Sequence, residues 1–222
     1  IRSGVAAMMD LMERQQTRQQ IALRGRLRLG QPMSRYTSWR VGGPADQLYL
    51  PKDLADLQQY VQHWAVAPLT WVGLGSNLLV RDGGVRGSVI VTAGALNELT
   101  LLDGHRVRVG AGVSGARLAR FCADAGLAGA EFLAGVPGTV GGALAMNAGA
   151  HGGETWDLVE AVETLDARGQ LLRRPPSSFN IAYRHVEGLG DSWFVAAELR
   201  LRPDAPDAVA ARIRAWLAQR EQ

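Results

Sequence analysis

The sequence predicts an α+β protein made of two successive α/β subdomains. At 222 residues and 47% hydrophobic, the chain can bury a proper core. Residues of about 35 to 92 alternate between strand and helix patterns, which is typical of a small α/β unit. From Leu99 onward, alternating runs joined by tight turns indicate an antiparallel sheet. We therefore divide the chain into a basic leader (1–31), two subdomains (32–95 and 96–205) and a terminal helix (206–222).

The first subdomain begins with "ADQLYLP", which is predicted to be a strand. "DLADLQQYVQHWA" then has the spacing of an amphipathic helix, with Asp53 as its N-cap. "LTWVGLG" predicts a strand that runs into glycines. "SNLLVRDGGVRGSVIVT" predicts two more short strands around an Asp-Gly-Gly turn.

The second subdomain opens with "LTLLDGHRVRVGAG", two alternating runs joined by Asp103-Gly104, a strong hairpin signal. "SGARLARFCADAG" predicts a helix capped by Ser114. "AVETLDARGQLLRR" predicts another hairpin around residues 166 to 169, and "DSWFVAAELRL" a last strand. The terminal helix is expected to start near Asp207.

Charge and composition exclude several classes of function. Residues 1–31 hold six arginines and two acidic residues, whereas the remaining chain is about neutral. A basic leader can bind nucleic acid or an anionic membrane, but no aromatic residues are interleaved with these arginines, so we expect a solvated, poorly ordered segment and no nucleic-acid partner. No run of 18 apolar residues exists, so we expect no membrane span.

Metal and disulfide chemistry is not expected either. Cys122 is the single cysteine, which excludes an internal disulfide and a thiolate cluster and suits a reducing cytosol. Its helical context predicts a small buried apolar role. His63, His105 and His185 have no carboxylate or second histidine at ligand spacing, so we expect no metal site.

Three glycine clusters remain to be explained. "VGAGVSG" places Gly110, Gly112 and Gly115 in the letters of a dinucleotide fingerprint, with Glu131 about 20 residues later. However, the strand before it is the second arm of a hairpin, whereas the fingerprint belongs to a βαβ unit. We therefore interpret this cluster as a packing turn.

The other two clusters indicate a phosphate-containing ligand. "GLGSN" lies at a strand end, where main-chain N–H groups can form an anion-binding nest and Ser76 and Asn77 add donors. "GVPGTVGGALAMNAGAHGGE" holds seven of the 27 glycines. It predicts a helix whose amino end could face a pyrophosphate. Close packing between elements is the alternative explanation, and both remain open at this point.

Three stretches taken together resemble one enzyme family. "GLGSNLLVRDGGVRGSVI", "LAGVPGTVGGALAMNAGAHGGE" and "FNIAYR" occur in the order and roughly the spacing of the UDP-N-acetylenolpyruvoylglucosamine reductase (MurB) family. "YTSWRVGGPAD" is similar to that family's entry segment, and the resemblance covers about residues 30 to 222. It implies the FAD-binding fold shared with vanillyl-alcohol oxidase-type flavoproteins, with FAD held between two α/β subdomains. It also implies NADPH as electron donor, a UDP-sugar substrate and a role in peptidoglycan synthesis.

The resemblance implies roles for individual residues. Arg184, in the Tyr-Arg motif, would be catalytic, because a planar cationic fork suits the negative charge that develops on an enolpyruvyl carboxylate. Tyr183 and His151 would contact substrate. The residues expected to bind FAD are Arg40, Gly42, Gly43, Gly73, Gly75, Ser76, Asn77, Pro137, Gly138, Thr139, Gly141, Gly142, Asn147, Ala148, Gly149 and Ala150.

The chain also departs from the family pattern. The family completes catalysis with a serine and a glutamate of a third domain, which would follow the terminal helix; we therefore expect this chain to bind FAD but to be impaired in reducing the enolpyruvyl substrate. Val186 stands where the family often has a hydroxyl residue, and His151 where it has another aromatic one. The alternatives are an oxidase of the same fold and a non-catalytic FAD-binding module.

Overall fold

The computed structural model of the chain describes residues 22–220. Most of the predicted basic leader therefore lies outside the described residues. No described helix has both the length and the apolar character needed to cross a membrane.

The first sheet has four strands in the order β1-β2-β4-β3. Strand β1 is antiparallel to β2, whereas β2 and β3 both run parallel to β4. Helix α1 (Leu54–His63) connects β2 to β3. The strands are β1 (Arg26–Pro32), β2 (Pro44–Leu50), β3 (Leu69–Val72) and β4 (Val85–Val91).

The second sheet has five strands in the order β8-β7-β9-β6-β5, all antiparallel to their neighbours. This confirms the antiparallel sheet and both hairpins expected from the sequence. The strands are β5 (Leu99–Leu102), β6 (Arg106–Gly110), β7 (Val159–Asp166), β8 (Leu171–Arg174) and β9 (Ser192–Arg200).

Three further helices and several short elements accompany this sheet. The helices are α2 (Gly115–Asp124), α3 (Val140–Ala145) and α4 (Pro206–Arg220). Short strand pairs join Leu127–Ala128 to Arg202–Pro203, Gly149–Ala150 to Gly153–Glu154, and Asn180–Ala182 to His185–Glu187. Single 3₁₀ turns occupy Met33–Arg35, Glu131–Ala134, Thr155–Asp157 and Pro176–Ser178.

Both predicted helix caps are present. The Asp53 carboxylate accepts a hydrogen bond from the Asp56 N–H at 2.9 Å, and the Ser114 hydroxyl accepts one from the Arg117 N–H at 3.3 Å. A cap satisfies an N–H group that has no partner inside the first helical turn. The starts of α1 and α2 were therefore readable from sequence.

Two predictions about the first subdomain were wrong. Residues 76–92 contain one strand, β4, instead of two, because residues 76–84 form an irregular loop. Residues 26–31 belong to β1 and pair with β2, whereas we had placed them in the solvated leader. The stretch "RLRL" alternates charged and apolar residues, a two-residue period that suits an edge strand, and counting charge alone concealed this pattern.

One hydrophobic cluster is shared by both sheets. Its buried members include Tyr49, Tyr60 and Ile90 from the first unit and Leu165 and Val195 from the second. The Tyr49 and Tyr60 rings stack with their centroids 3.9 Å apart. The two sheets therefore pack into a common core.

Candidate active site

A cleft of about 830 Å³ lies between the loop after β3 and the glycine-rich segment around α3. This volume is within the ~300–1,000 Å³ range of typical small-molecule sites. Residues 71–78 form one wall, and residues 135–154 supply most of the other. Tyr183 and Arg184 complete the lining. The cleft thus joins all three stretches on which the family resemblance depends.

The loop after β3 is held by the segment before β2. Gly75 has φ +66°, and a Cβ there would overlap the carbonyl oxygen of Tyr36. The Ser38 N–H donates to the Gly75 carbonyl at 3.1 Å. Only glycine combines this left-handed backbone with so close an approach, so the loop is fixed in one course along the cleft.

The same loop presents unused hydrogen-bond donors. Among the described residues, none accepts a hydrogen bond from the main-chain N–H groups of residues 74 to 78, all of which line the cleft. The N–H groups of Gly138 and Thr139 on the opposite wall likewise have no described acceptor. Successive main-chain N–H groups that no protein group accepts can form an anion-binding nest. These donors can therefore bind an anionic ligand.

Two glycines of the cleft, Gly73 and Gly138, allow close contact between its two walls. A Cβ on Gly73 would overlap the Thr139 hydroxyl, and one on Gly138 would lie 2.8 Å from the Ser76 hydroxyl. The Ser76 hydroxyl also donates to the Pro137 carbonyl at 3.2 Å. The packing explanation left open above is thus correct for these positions, and they shape the cleft by bringing its walls together.

Gly142 is different, because a Cβ there would meet no protein atom within 4 Å. It lies on the cleft side of α3. The absence of a side chain at Gly142 therefore leaves space in the cleft, as the cofactor hypothesis requires.

Two of the N–H groups at the amino end of α3, which was predicted to face a pyrophosphate, are engaged by protein. The Val140 N–H donates to the Val113 carbonyl at 2.8 Å, and the Gly141 N–H donates to the Ala111 carbonyl at 2.9 Å. These two donors are already used by protein and are not available to a pyrophosphate, whereas the N–H groups of Gly138 and Thr139, just before the helix, have no described acceptor. Gly141 also lies outside the cleft lining, and a Cβ there would be 3.0 Å from that of Ala111.

Asn147 is buried among protein groups at the end of α3. Its Nδ2 donates to Glu154 Oε2 at 2.7 Å and to the Ala182 carbonyl at 3.3 Å. Its Oδ1 accepts from the Trp156 N–H at 3.2 Å. The side chain is 3% exposed, and its backbone is left-handed with φ +40°. Both amide hydrogens are therefore already engaged.

Arg184 lies at the tip of a hairpin formed by Asn180–Ala182 and His185–Glu187. It is exposed, has φ +52°, and makes no ion pair within the described part of the chain. Tyr183 beside it is 82% exposed. The tip thus presents an uncompensated cation and an aromatic ring to the cleft.

Two acidic residues that the sequence analysis did not select also line the cleft. Glu154 and Asp157 form a capping box around the turn Thr155–Asp157, with the Glu154 N–H donating to Asp157 Oδ2 at 3.0 Å. The spacing "ETWD" could have indicated the turn. It gave no sign that the turn faces the cleft, since that depends on contacts distant in sequence.

Four other predicted residues lie outside the cleft lining. Gly43 lies against the backbone of residue 82, and a Cβ on Gly42 would be 2.8 Å from that of Val80. Arg40, with φ +54°, belongs to the same loop. His151 instead stacks on Trp216 of α4, with the ring centroids 4.8 Å apart and the planes 7° from parallel.

Other chemistry is limited in the described part of the chain. Residues 22–220 contain no cluster of three or more His, Cys, Asp or Glu side chains suited to a metal ion. Cys122 is 1% exposed, and burial raises the pKa of its thiol to about 12. The expected burial of Cys122 is confirmed. Gly110, Gly112 and Gly115 pack against backbone carbonyls, which confirms that this cluster is a packing turn.

Sequence comparison gives consistent relatives. A family described as "FAD binding domain" matches residues 45–174. The chain is 56% identical over 199 residues to UDP-N-acetylenolpyruvoylglucosamine reductase of Alkalilimnicola ehrlichii, covering 89% of this chain and 66% of that protein. It is 53% identical over 200 residues to the enzyme of the same name from Nitrosococcus oceani, covering 90% and 67%. With the Legionella pneumophila (strain Corby) protein, the identity is 51% and the coverage 88% and 64%. The chain thus spans just under two thirds of the length of the first of these relatives.

Structure comparison leads to the same conclusion about the fold. UDP-N-acetylenolpyruvylglucosamine reductase of Thermus caldophilus superposes with a TM-score of 0.75 at 31% identity, over 90% of this chain and 70% of that one. 6-Hydroxy-D-nicotine oxidase of Arthrobacter nicotinovorans gives a TM-score of 0.57 at 16% identity, over 82% and 43%, which concerns the fold alone. The expected α+β FAD-binding fold is confirmed.

Proposed function

The chain belongs to the UDP-N-acetylenolpyruvoylglucosamine reductase family, and on that premise we propose that it is the FAD-holding part of an enzyme that reduces UDP-N-acetylglucosamine enolpyruvate to UDP-N-acetylmuramate. The electron donor in this proposal is NADPH, the product serves peptidoglycan synthesis, and the location is the cytoplasm. Because the chain spans only part of its relatives, the complete reaction is assigned to the full gene product.

The observation that carries the proposal is the run of free N–H groups at residues 74 to 78. The charged residues that line the described cleft are Glu154, Asp157 and Arg184, so a single cation faces two carboxylates. Two phosphates therefore cannot be neutralised by side-chain cations alone. Main-chain N–H groups bind phosphate by presenting several partial charges at once, and this loop supplies them.

The predicted FAD residues divide into two groups in this proposal. Apart from Asn147, which also lines the cleft but whose amide is engaged by protein, those that line the cleft are assigned to cofactor contact: Gly73, Gly75, Ser76, Asn77, Pro137, Gly138, Thr139, Gly142, Ala148, Gly149 and Ala150. Arg40, Gly42, Gly43 and Gly141 support the loops behind them. Substituting a glycine of the first group is therefore expected to affect FAD binding, and substituting one of the second group to affect the stability of the protein.

Arg184 is assigned to the substrate carboxylate. Bound FAD supplies hydride transfer to the enolpyruvyl double bond. The reaction places negative charge on the carboxylate-enolate, and a permanently charged guanidinium without a protein counterion can stabilise that charge. Removing one such contact costs about 3 kcal/mol, or roughly a hundredfold in rate. Tyr183, which is exposed beside it, is assigned to contact with the sugar nucleotide.

The test uses Arg184→Ala in the full gene product. We expect non-covalent FAD to be retained and the flavin spectrum to be unchanged, while oxidation of the reduced flavin by the enolpyruvyl sugar slows about a hundredfold. Arg117→Ala is the matched control, because Arg117 is an exposed arginine on α2 outside the cleft. Substrate reduction at the normal rate by Arg184→Ala would remove Arg184 from the mechanism.

The oxidase alternative predicts a covalent flavin tether, often through histidine. No histidine is among the described residues that line the cleft. We expect denaturation in acid to release all of the flavin into the supernatant. Flavin that remained with the precipitated chain would favour the oxidase.

A further inference from the structure

We propose that Asn147 is a positioning residue whose side chain ties the hairpin carrying Arg184 to the cleft. Its effect on catalysis rests on the proposed function, whereas the tie itself does not. The family resemblance had implied that Asn147 is one of the residues that bind FAD. The contacts of Asn147 point to a different role.

The amide of Asn147 has no hydrogen left for a ligand. One Nδ2 hydrogen is directed to Glu154 Oε2 at 2.7 Å and the other to the Ala182 carbonyl at 3.3 Å. A primary amide carries two donors. The Oδ1 acceptor is used by the Trp156 N–H at 3.2 Å.

The hairpin packs on the core through Ile181 and Val186, and Asn147 adds a hydrogen bond next to its tip. Each of its strands has three residues, and a two-stranded ribbon of this size is marginal by itself. Its base is anchored by Phe179, whose ring lies 5.0 Å from that of Trp156 and 4.3 Å from the Arg174 guanidinium. Ala182, in contrast, is two residues before Arg184. Within the described chain, the hydrogen bond that reaches residues 182 to 184 from outside the hairpin comes from Asn147.

Asparagine suits this position for a second reason. With φ +40°, residue 147 has a left-handed backbone, which asparagine and aspartate tolerate better than most residues. Alanine would therefore add backbone strain to the loss of the amide. Asn147→Asp avoids this problem, because it keeps the shape, the backbone preference and the acceptor for Trp156, and replaces the two-donor amide with a carboxylate.

Asn147→Asp also places a second carboxylate against Glu154. Combining it with Glu154→Gln reverses the donor and the acceptor of that contact and restores a hydrogen bond between residues 147 and 154. The double change does not restore a donor to the Ala182 carbonyl. The double change therefore separates the effect of losing the bond to Ala182 in the hairpin from the effect of losing the bond to Glu154.

The first readout is trypsin cleavage after Arg184 in the FAD-loaded full gene product, located by mass spectrometry. Cleavage requires local opening of the tip and measures the population of the open form. We expect Asn147→Asp combined with Glu154→Gln to accelerate cleavage about three- to tenfold, the effect of losing the one hydrogen bond to Ala182. Asn147→Asp alone should accelerate cleavage at least as much, because it also loses the bond to Glu154. Glu154→Gln alone keeps the bond to Ala182 and should change the rate less than about twofold.

The matched control is Gln58→Glu. The Gln58 amide also donates to a main-chain carbonyl, that of Gly169 at 3.0 Å, in another hairpin outside the cleft. The same change from amide to carboxylate there should leave cleavage after Arg184 unaltered. If Asn147→Asp does not fold, Asn147→Gly, which accepts the left-handed backbone without strain, replaces it. Unchanged cleavage in the folded Asn147 variant would overturn the proposal.

The second readout is substrate reduction by the same proteins. If Asn147 acts through Arg184, Asn147→Asp slows oxidation of the reduced flavin, retains FAD, and adds no further loss to Arg184→Ala. The proposal would be overturned if the rate losses of Asn147→Asp and Arg184→Ala multiplied in the double variant. It would also be overturned if Asn147→Asp lost FAD while trypsin cleavage after Arg184 stayed as slow as in the native protein. If the native gene product reduces no enolpyruvyl sugar while Asn147→Asp still accelerates cleavage, the proposed function fails and the tie remains supported.

Discussion

Replacing Gly142 with alanine should stabilise the protein without cofactor and weaken its binding of FAD. Gly142 lies inside α3, and a Cβ there meets no protein atom within 4 Å. Its neighbour Gly141 belongs to the same helix, but a Cβ there would be 3.0 Å from that of Ala111. The two substitutions are thus chemically identical and differ only in what the new methyl group meets.

The magnitudes follow from these surroundings. Alanine is better than glycine inside a helix by about 1 kcal/mol, which raises the melting temperature of a chain of this size by about 2 to 4 °C. At Gly142 the protein keeps this gain. A methyl group forced against a ligand costs about 1–3 kcal/mol, so FAD binding should weaken about 5- to 150-fold. At Gly141 the same cost falls on the protein itself and cancels or exceeds the gain.

The assay is a pair of measurements on flavin-free protein. Thermal unfolding followed by circular dichroism gives the change in stability, and titration with FAD followed by quenching of flavin fluorescence gives the affinity. We expect Gly142→Ala to unfold at a higher temperature and bind FAD more weakly, and Gly141→Ala to show no such stabilisation. If Gly142→Ala bound FAD as tightly as the native chain, FAD would not lie against this face of α3.

Three further predictions concern the scaffold. Gly75→Ala should lower the free energy of unfolding by about 2 kcal/mol or more, through left-handed strain and overlap with a carbonyl, whereas Gly83→Ala, which meets nothing within 4 Å, should be neutral in urea unfolding. Tyr49→Phe should cost about 1–3 kcal/mol in the same assay, because the buried carboxylate of Asp56 loses the phenol that donates to it at 2.6 Å. Burial raises the pKa of Cys122 to about 12, so the folded chain keeps this proton above pH 9 while the unfolded chain loses it. Stability should therefore fall as the pH rises above about 9, and Cys122→Ala should reduce that slope by up to about 1.4 kcal/mol per pH unit; an unchanged slope would contradict the burial of the thiol.

Local signals in the sequence were sufficient for most elements. Asp53 and Ser114 marked helix starts because their side chains satisfy first-turn N–H groups. The turn after Asp103 marked a hairpin because Gly104 and His105 both adopt positive φ. The strand at residues 26–32 was missed because its alternation was brief and its arginines suggested a solvated segment.

The sequence predicted which segments form the site, but not which residues of those segments contact one another. The glycines of the two cleft walls were identified correctly as unusual, yet two of them, Gly73 and Gly138, meet protein from the opposite wall. Such contacts join residues about 60 positions apart, such as Ser76 and Pro137. No pattern in one sequence distinguishes them from contacts to a ligand. The acidic pair at Glu154 and Asp157 was missed for the same reason.

The hydrophobic cluster shared by the two sheets limits how the cofactor can enter. Leu165 and Val195 pack with Tyr49 and Ile90 behind the cleft, so the halves cannot swing apart as rigid bodies without exposing buried rings. A dinucleotide must therefore enter the cleft without separation of the two sheets. Because the two sheets share this buried cluster, we expect heating to unfold both halves in one calorimetric step, with no separate transition for either sheet.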